Sequence, residues 1–556
     1  MFTTCDITGF KVDKRVLPLI KANAVVSVVA LLLAVVAAML VLFTRWQVVH
    51  LLPVDWYYRI LTLHGVVALV VWIVFWEMAG LLFGSTVVLN ARMVTPWLAW
   101  VAFVMMVIGT ALVAFAVLTG KADVLFTSYA PLRADPLYYL GIILFAVGAL
   151  IVIGIFFANI IVAKKEKTYG DGPLPLFTFG LLTAAILGVG TLLPGAVIYV
   201  PTFLWSLGLI DSVNTIVYRL IFWGFGHSAQ QVNVAAMISV WYLGAFLTVG
   251  GTSINEKVSR IAFLFYMIGI NLASAHHLLV DPIPSPSWKV LNTSYFMYLA
   301  VLASMIHAFA VPSAVEVAQR RRGYTKGLFD WLKNCPWGNP AFVAVFLAII
   351  IFGFIGGVTG VINGAEQANM IIHNTIAVPG HFKGTVVGGT TLTFMGATYY
   401  LIPLIFRKKI SMFGLAKAVP WLFAGGVVIL SAGMSTLGYL GVPRRHWDIT
   451  FGGGPFTYSF PAITDLFWVV AVVGGVIAFL GVLAWVLVVV VSVFFGTPVR
   501  GKQDMQLTLS DMPPAEEHHT GFVAPGTFAL TIIFMIAFLI FTTLNWGWLS
   551  VMWEVK

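Results

Sequence analysis

Apolar runs of about 20 residues, the length that crosses a bilayer as α-helix, recur from near Val25 to near Leu544. They are continuous rather than alternating, which argues against barrel strands. Thirteen spans are predicted near 21–43, 60–84, 94–119, 136–162, 175–198, 217–249, 258–280, 290–318, 340–363, 370–405, 417–440, 463–496 and 524–546. Only 9% of residues are charged, against roughly 25% in a soluble domain. The fold class is therefore an all-α polytopic membrane protein, with residues 1–556 forming a single transmembrane domain. The longest polar connection, around Gly496 to Thr520, reads as a loop, and no internal repeat is visible.

A net charge of +10 suggests a nucleic-acid partner until its distribution is read. Lys11, Lys14 and Arg15 precede the first span; Lys164, Lys165 and Lys167 follow the fourth, and Lys257 and Arg260 the sixth. Arg320, Arg321, Arg322 and Lys326 follow the eighth, Arg407, Lys408 and Lys409 the tenth, and Arg500 and Lys502 the twelfth. All fall on one side of the bilayer, so the positive-inside rule places the N-terminus in the cytoplasm and the C-terminus outside. The partner implied is the lipid bilayer of a bacterial or archaeal cytoplasmic membrane, not nucleic acid. Cys5 and Cys335 both fall on the cytoplasmic side, where disulfides are rare. The N-terminus lacks a signal peptide's small-residue cleavage pattern, so the first apolar segment is expected to be retained.

Seven histidines lie in or beside the spans: His64, His227, His276, His277, His307, His373 and His381. A single intramembrane histidine is an ordinary hydrogen-bonded packing residue. Short polar constellations are harder to explain that way. "SAHHLLVDP" sets His276 beside His277, "FGHSAQQ" carries His227, and "IIHNTIAVPGHFK" carries His373 and His381. Neutral imidazole binds copper, iron and haem iron. An adjacent pair plus one histidine from a neighbouring helix could hold one metal through three nitrogens.

Lys383 ends "VPGHFK" inside a long apolar run, where a charge is costly. Residues two apart on an α-helix point roughly 200° apart. His381 and Lys383 can therefore serve groups on opposite sides of one span, as when two haems flank it.

With these residues in view, the chain resembles subunit I of the haem-copper oxidoreductase superfamily, nearest its B-family or ba3-type branch. The resemblance runs from "TLHGVVALVVW" (Thr62 to Trp72) to "VPRR" (Val442 to Arg445). It is carried by Leu63-His64-Gly65, Gly226-His227, His276-His277 with Asp281-Pro282, His373-Asn374-Thr375, Val378-Pro379-Gly380-His381-Phe382 and Pro443-Arg444-Arg445, in that order. It implies a thirteen-span catalytic domain with two haems and a second active-site metal, copper or non-haem iron. By the same resemblance His381 is the proximal ligand of a high-spin catalytic haem, and His227, His276 and His277 hold the second metal. His64 is one axial ligand of a low-spin haem. Arg444 and Arg445 resemble the pair that neutralises haem propionates, a role suited to guanidinium. His373 and Asn374 belong near those propionates.

Two positions depart from the family pattern. Where the family reads His-Phe-His, this chain has His381-Phe382-Lys383, so the second axial place on the low-spin haem falls to Lys383 or to nothing. A neutral amine can bind haem iron. The alternatives are a five-coordinate or missing haem, with the lysine paired to a propionate or carbonyl. The second departure is Gln231, four residues after His227, where oxygen-reducing relatives carry a tyrosine joined to a ligand histidine. Glutamine cannot lose a proton and an electron as a phenol can. Splitting dioxygen in one step takes four reducing equivalents, whereas coupling two nitric oxide molecules takes two.

The resemblance with this departure therefore implies a nitric oxide reductase, 2 NO + 2 e⁻ + 2 H⁺ → N₂O + H₂O. An atypical oxygen reductase is the alternative, and a non-redox transporter or gas sensor a more distant one. No glutamate in the local motifs argues for iron, so copper is favoured at the three histidines. Tyr242, Ser304 and His307 lie on helices resembling those of the family's proton path, though each also reads as an interhelical polar contact. Glu316 reads as an interfacial carboxylate or a point of proton entry. The chain has neither Cys-x-x-Cys-His nor clustered Cys/His ligands. A smaller electron-accepting subunit, with a dinuclear copper centre or c-type haem, is the expected partner. The donor is cytochrome c, a cupredoxin or a quinol.

Overall fold

The structure, a computed structural model, describes residues 2–269, 274–452, 454–510 and 523–552. Among these, twelve helices are long and apolar enough to cross a membrane. In chain order they are α1 Leu17–Arg45, α2 Val54–Val87, α3 Pro96–Leu118, α4 Pro136–Lys165, α5 Leu176–Ser206 and α6 Thr215–Val249. A shorter helix, α7 Glu256–Gly269, precedes α8 Met297–Arg321, α9 Pro340–Gly364, α10 Ala377–Phe406, α11 Phe413–Tyr439 and α12 Ile463–Phe495. The last, α13, runs over Pro525–Met552. Of the expected seventh span, 258–280, α7 and a one-turn 3₁₀ helix Ala275–Leu278 are described. Residues 270–273 between them lie outside the described residues. Before α1 a short antiparallel hairpin pairs Phe2 with Asp13 and Thr4 with Lys11.

The chain divides into two compact units. One comprises Met1–Ala236, Ile270–Ser285 and Arg445–Phe460; the other comprises Met237–Gly269, Pro286–Arg444 and Pro461–Lys556.

The first unit holds α1 to α5 and most of α6. In α2 the hydrogen bonding loosens to a π-helical stretch at Val67–Val71, directly after the turn carrying His64. Such stretches are rare and concentrate at functional sites.

The second unit departs most from the predicted spans. The run 370–405 is not one helix. A short helix, Glu366–Ile372, stops at His373, whose ψ of 135° is extended, and Asn374 adopts φ +60°. Asparagine tolerates this left-handed conformation better than branched residues do. The freed backbone is satisfied from a distant segment: Thr375 bridges Pro443, and the Ile376 N–H donates to the Val442 carbonyl at 2.9 Å. Helix α10 then starts afresh at Ala377, with Pro379 in its first turn, where a missing N–H costs nothing. Gly380 lets that turn press on α11; a Cβ there would stand 2.7 Å from Ser435 Oγ, and Ser431 Oγ donates to its carbonyl at 2.7 Å. From Lys383 to Thr391 the helix is π-helical.

Glu316, read from the sequence as an interfacial carboxylate or a point of proton entry, is fully buried within the protein. Its carboxylate accepts from the Gly526 N–H at 2.9 Å, the Thr527 N–H at 2.6 Å and the Thr527 hydroxyl at 2.7 Å, all at the start of α13. Arg320 Nε adds a bond of 2.7 Å. A carboxylate at a helix N-terminus answers both the unbonded N–H groups and the helix dipole. Glu316 therefore pins α13.

Candidate redox-metal site

In the first unit, α6 carries Trp223, His227 and Gln231 on successive turns, since residues four apart share a face. His276 and His277 come from the 3₁₀ turn Ala275–Leu278. One ring nitrogen from each of His227, His276 and His277 lies within 4.8 Å of the others, and all three rings are half-buried. His227 Nδ1 and His277 Nε2 are 3.0 Å apart. Trp223 stacks on His277, with ring centroids 3.6 Å apart and planes 9° apart. Beyond the histidines, Asp281 pairs with Arg219 of α6 at 2.9 Å, tying the 3₁₀ segment to the helix it faces.

The other nitrogen of His227 meets Gln231: the amide nitrogen lies 3.0 Å from His227 Nε2. Rotating the amide would present its oxygen instead, so Gln231 can serve either tautomer of the ring. A metal on Nδ1 requires the ring proton on Nε2, and the Gln231 carbonyl would then accept it.

His64 Nδ1 lies 3.0 Å from the Ala34 carbonyl. A carbonyl only accepts, so Nδ1 carries the proton and Nε2 the lone pair, the state of a metal-binding imidazole held by an outer partner. The turn bearing His64 borders an apolar cavity lined by Leu63, Val67, Phe126, Tyr138 and Phe225 among others. Arg445, in the segment after α11, adopts φ +73°. Burial lowers its guanidinium from the ordinary value.

In the second unit His381 lies on the first turns of α10, with Nδ1 2.9 Å from Thr359 Oγ1 on α9. The single hydroxyl proton of Thr359 is directed to the Ile355 carbonyl. The oxygen therefore accepts from His381 Nδ1–H, again leaving Nε2 as the lone-pair nitrogen. Gly360 makes room for the ring: a Cβ there would stand 3.1 Å from His381 Cε1. Lys383 is two residues on, where the π-helical stretch begins.

Arg444 binds Asn374 twice over. Its guanidinium donates to Oδ1 at 3.1 and 3.3 Å, and its N–H to the Asn374 carbonyl at 2.7 Å. His373 turns to Asn369 Oδ1, 3.1 Å from Nδ1. Thus His373, Asn374 and Arg444 gather around the break between two helices, while Arg445 belongs to the other unit.

The helices expected to resemble a proton path carry two hydrogen-bonded polar groups. Tyr242 Oη is 2.9 Å from both His307 Nδ1 and Ser259 Oγ, Ser259 is 2.9 Å from Ser253, and Tyr266 Oη is 2.8 Å from Ser304 Oγ.

Sequence reasoning missed two residues. Thr359 carries no signal, because its role comes from facing a residue 22 positions away. Glu77 was legible as the one carboxylate inside the second predicted span. It is 4% exposed and faces Asn233 of α6, also 4% exposed.

The fold and site together define a multi-helix membrane protein with three imidazoles placed to hold a metal ion. The family described as Cytochrome C and Quinol oxidase polypeptide I matches residues 19–477, and the chain belongs to this haem-copper oxidase subunit I family. It is 33% identical over 434 residues to cytochrome c oxidase subunit 1 of Thermus thermophilus, covering 76% of this chain and 74% of that one. It is 25% identical over 431 residues to cytochrome c oxidase subunit 1 of Synechocystis, covering 71% of each. A solved structure described as a heme-copper terminal oxidase dimer superposes with a TM-score of 0.83 at 26% identity, covering 96% of this chain and 92% of that one.

The chain is accordingly an oxidoreductase and a multi-pass protein of the cytoplasmic membrane. The family implies haems and copper, and cytochrome c or quinol as donor. The residues fit those groups: three imidazole nitrogens converge within a metal's reach, and His64 and His381 each have Nδ1 engaged, leaving Nε2 as the lone-pair nitrogen.

Proposed function

We propose that this chain is the catalytic subunit of a respiratory nitric oxide reductase, 2 NO + 2 e⁻ + 2 H⁺ → N₂O + H₂O. The observation that carries the reading is the Gln231 amide on the outer nitrogen of His227, at 3.0 Å. The place from which a phenol would serve the site is held by a group with no redox chemistry. His227, His276 and His277 would hold the second metal, with copper favoured, and His381 the catalytic haem. His64 and Lys383 would hold the low-spin haem, with Arg444, Arg445, His373 and Asn374 at the propionates. The metals supply the two electrons. The protein holds their ligands in the required tautomers and brings protons to the gas.

Tyr242, His307, Ser259 and Ser304 offer hydroxyls and an imidazole for that delivery. The distribution of basic residues puts the N-terminus in the cytoplasm and the C-terminus outside. Electrons would arrive at the outer face from a smaller subunit bearing a dinuclear copper centre or c-type haem. Cytochrome c, a cupredoxin or a quinol would be the donor.

The second reading is a terminal oxygen reductase, and by overall similarity it is the better supported. The relatives reported above are named cytochrome c oxidase subunit 1 or described as a terminal oxidase. The transporter or gas-sensor alternative draws no support from the family. One measurement separates the two leading readings. The purified complex, with haem and metal content established, is given one electron donor and matched concentrations of NO or O₂. Rapid N₂O formation with slow O₂ uptake is expected. Complete reduction of O₂ to water with negligible N₂O would falsify the nitric oxide assignment.

A further inference from the structure

Two of the three converging histidines, His276 and His277, are carried by a single 3₁₀ turn, Ala275–Leu278. Such turns have poorer hydrogen-bond geometry than an α-helix. Here the backbone bond from the His277 N–H to the Ser274 carbonyl is stretched to 3.5 Å. A metal site, by contrast, needs its ligand distances kept to within about 0.2 Å. The precision must come from side chains packed against the turn.

Helix α6 supplies them. Arg219, Trp223, His227 and Gln231 follow at intervals of four, each a neighbour of the next on the helix surface, over about 18 Å. Trp223 stacks on the His277 ring. The His227 ring stands edge-on to His276, with centroids 4.2 Å apart and planes at 87°. One turn beyond Trp223, Arg219 meets both oxygens of Asp281: Nε lies 2.9 Å from Oδ1, and a terminal N–H donates to Oδ2 at 3.2 Å. The guanidinium also lies over the Tyr129 ring, 5.1 Å from its centroid, so it is held from a second side. The Asp281 N–H in turn bonds the Leu278 carbonyl at 3.0 Å, joining the carboxylate to the end of the histidine turn.

The Arg219 and Asp281 side chains are 37% and 15% exposed. An ion pair so open to solvent adds little to overall stability. What a planar guanidinium set against both carboxylate oxygens does supply is direction. The Trp223 stack alone is one point of contact, about which the turn could pivot. The ion pair is a second, and two points fix its orientation.

We propose that Arg219 and Asp281 are positioning residues for the second metal, holding His276 and His277 at the angle at which they and His227 retain the ion. Breaking the pair would let these ligands splay and weaken retention of the metal. His64 and His381, on other helices, would be unaffected. The inference rests on reading the three histidines as a metal site and holds for either gas.

The test uses the purified complex, with copper as the probe. Asp281→Asn keeps the shape of the side chain and removes its charge; Arg219→Lys keeps the charge and removes the planar fork. Both variants should carry wild-type haem but less second metal per haem. After metal depletion, both should bind copper(I) about 10- to 100-fold more weakly against a competing chelator. Their thermal midpoints should stay near the wild-type value, which a merely structural pair would not allow. The exchange of Arg219→Asp with Asp281→Arg should recover part of the affinity. Unchanged copper affinity in Asp281→Asn, or copper and haem lost in step, would overturn the proposal. If Asp281→Asn fails to assemble, Arg219→Lys decides by the same measurements. Failure of both to assemble would also overturn it, by showing that the pair holds the fold. A wild-type complex with haem but neither copper nor non-haem iron would instead defeat the metal-site reading.

Discussion

Gln231 places its amide 3.0 Å from His227 Nε2, one turn along the same helix. The contact can donate or accept, so it holds a ring without exchanging electrons with it. Gln231→Ala should therefore lower NO turnover by about 10- to 100-fold without abolishing it, the usual effect of removing an outer partner of a metal ligand. His276→Ala and His277→Ala should abolish turnover and lower the content of the second metal. Gln231→Tyr alone should not create an oxidase, because a phenol at that position must also be joined to a histidine and supplied with protons. N₂O production and O₂ uptake by each variant check this. Full loss of activity in Gln231→Ala with metal content intact would give the amide a more direct part in the chemistry.

Thr359 sets the tautomer of His381 across 2.9 Å. Thr359→Val keeps the shape and removes the acceptor for Nδ1–H. Turnover is expected to fall roughly tenfold, and the iron–histidine vibration of the reduced high-spin haem should shift to lower frequency as the ring becomes less basic. Thr359→Ser should restore both. An unshifted vibration in the valine variant would show that the hydroxyl does not tune the ligand.

The histidine clusters were legible because ionisable side chains stand out against apolar spans, and adjacent histidines announce themselves by spacing alone. What could not be read was whatever depends on a distant partner. The predicted span 370–405 looks continuous because hydropathy cannot see that Thr375 bridges Pro443, which ends one helix at His373 and starts another at Ala377. Glu316 is readable as a carboxylate near a span end with Arg320 one turn on, to which it bonds, but its bonds to Gly526 and Thr527, some 210 residues away, have no local signal. The π-helical stretches after His64 and from Lys383 have no local signature either. They shift every later side chain around the helix axis, so an ideal α-helical angle between His381 and Lys383 is only a first approximation.

The Glu316 network yields a test of stability rather than chemistry. Glu316→Ala leaves Arg320 without its carboxylate and the α13 N-terminus without its acceptor. Breaking a buried charged pair costs about 3–5 kcal/mol. The thermal midpoint of the solubilised protein should fall by several degrees, with the haem spectra at low temperature unchanged. If Glu316 instead admits protons, Glu316→Gln would slow turnover while leaving the midpoint where it was. The anchoring role requires the reverse.

Lys383 offers the sharpest spectroscopic test. It lies two residues from His381, in the second turn of α10 where the helix becomes π-helical, among residues that are mostly apolar or small. An ammonium there without a partner would be costly, whereas a neutral amine bound to haem iron has a partner and no charge. Lys383→His should therefore keep a low-spin haem but move its magnetic and near-infrared spectra toward those of two histidines. Lys383→Ala should leave that iron high-spin or lower haem occupancy by about half, while the haem on His381 stays in place. His64→Ala should disturb the same haem. A low-spin spectrum unchanged in Lys383→Ala would eliminate lysine as the ligand. Loss of both haems in that variant would reflect misfolding, and Lys383→Met, which restores an uncharged side chain of similar length with a sulfur ligand, would then be the variant to compare. Its low-spin haem, shifted from the wild-type spectrum, is expected if position 383 faces the iron.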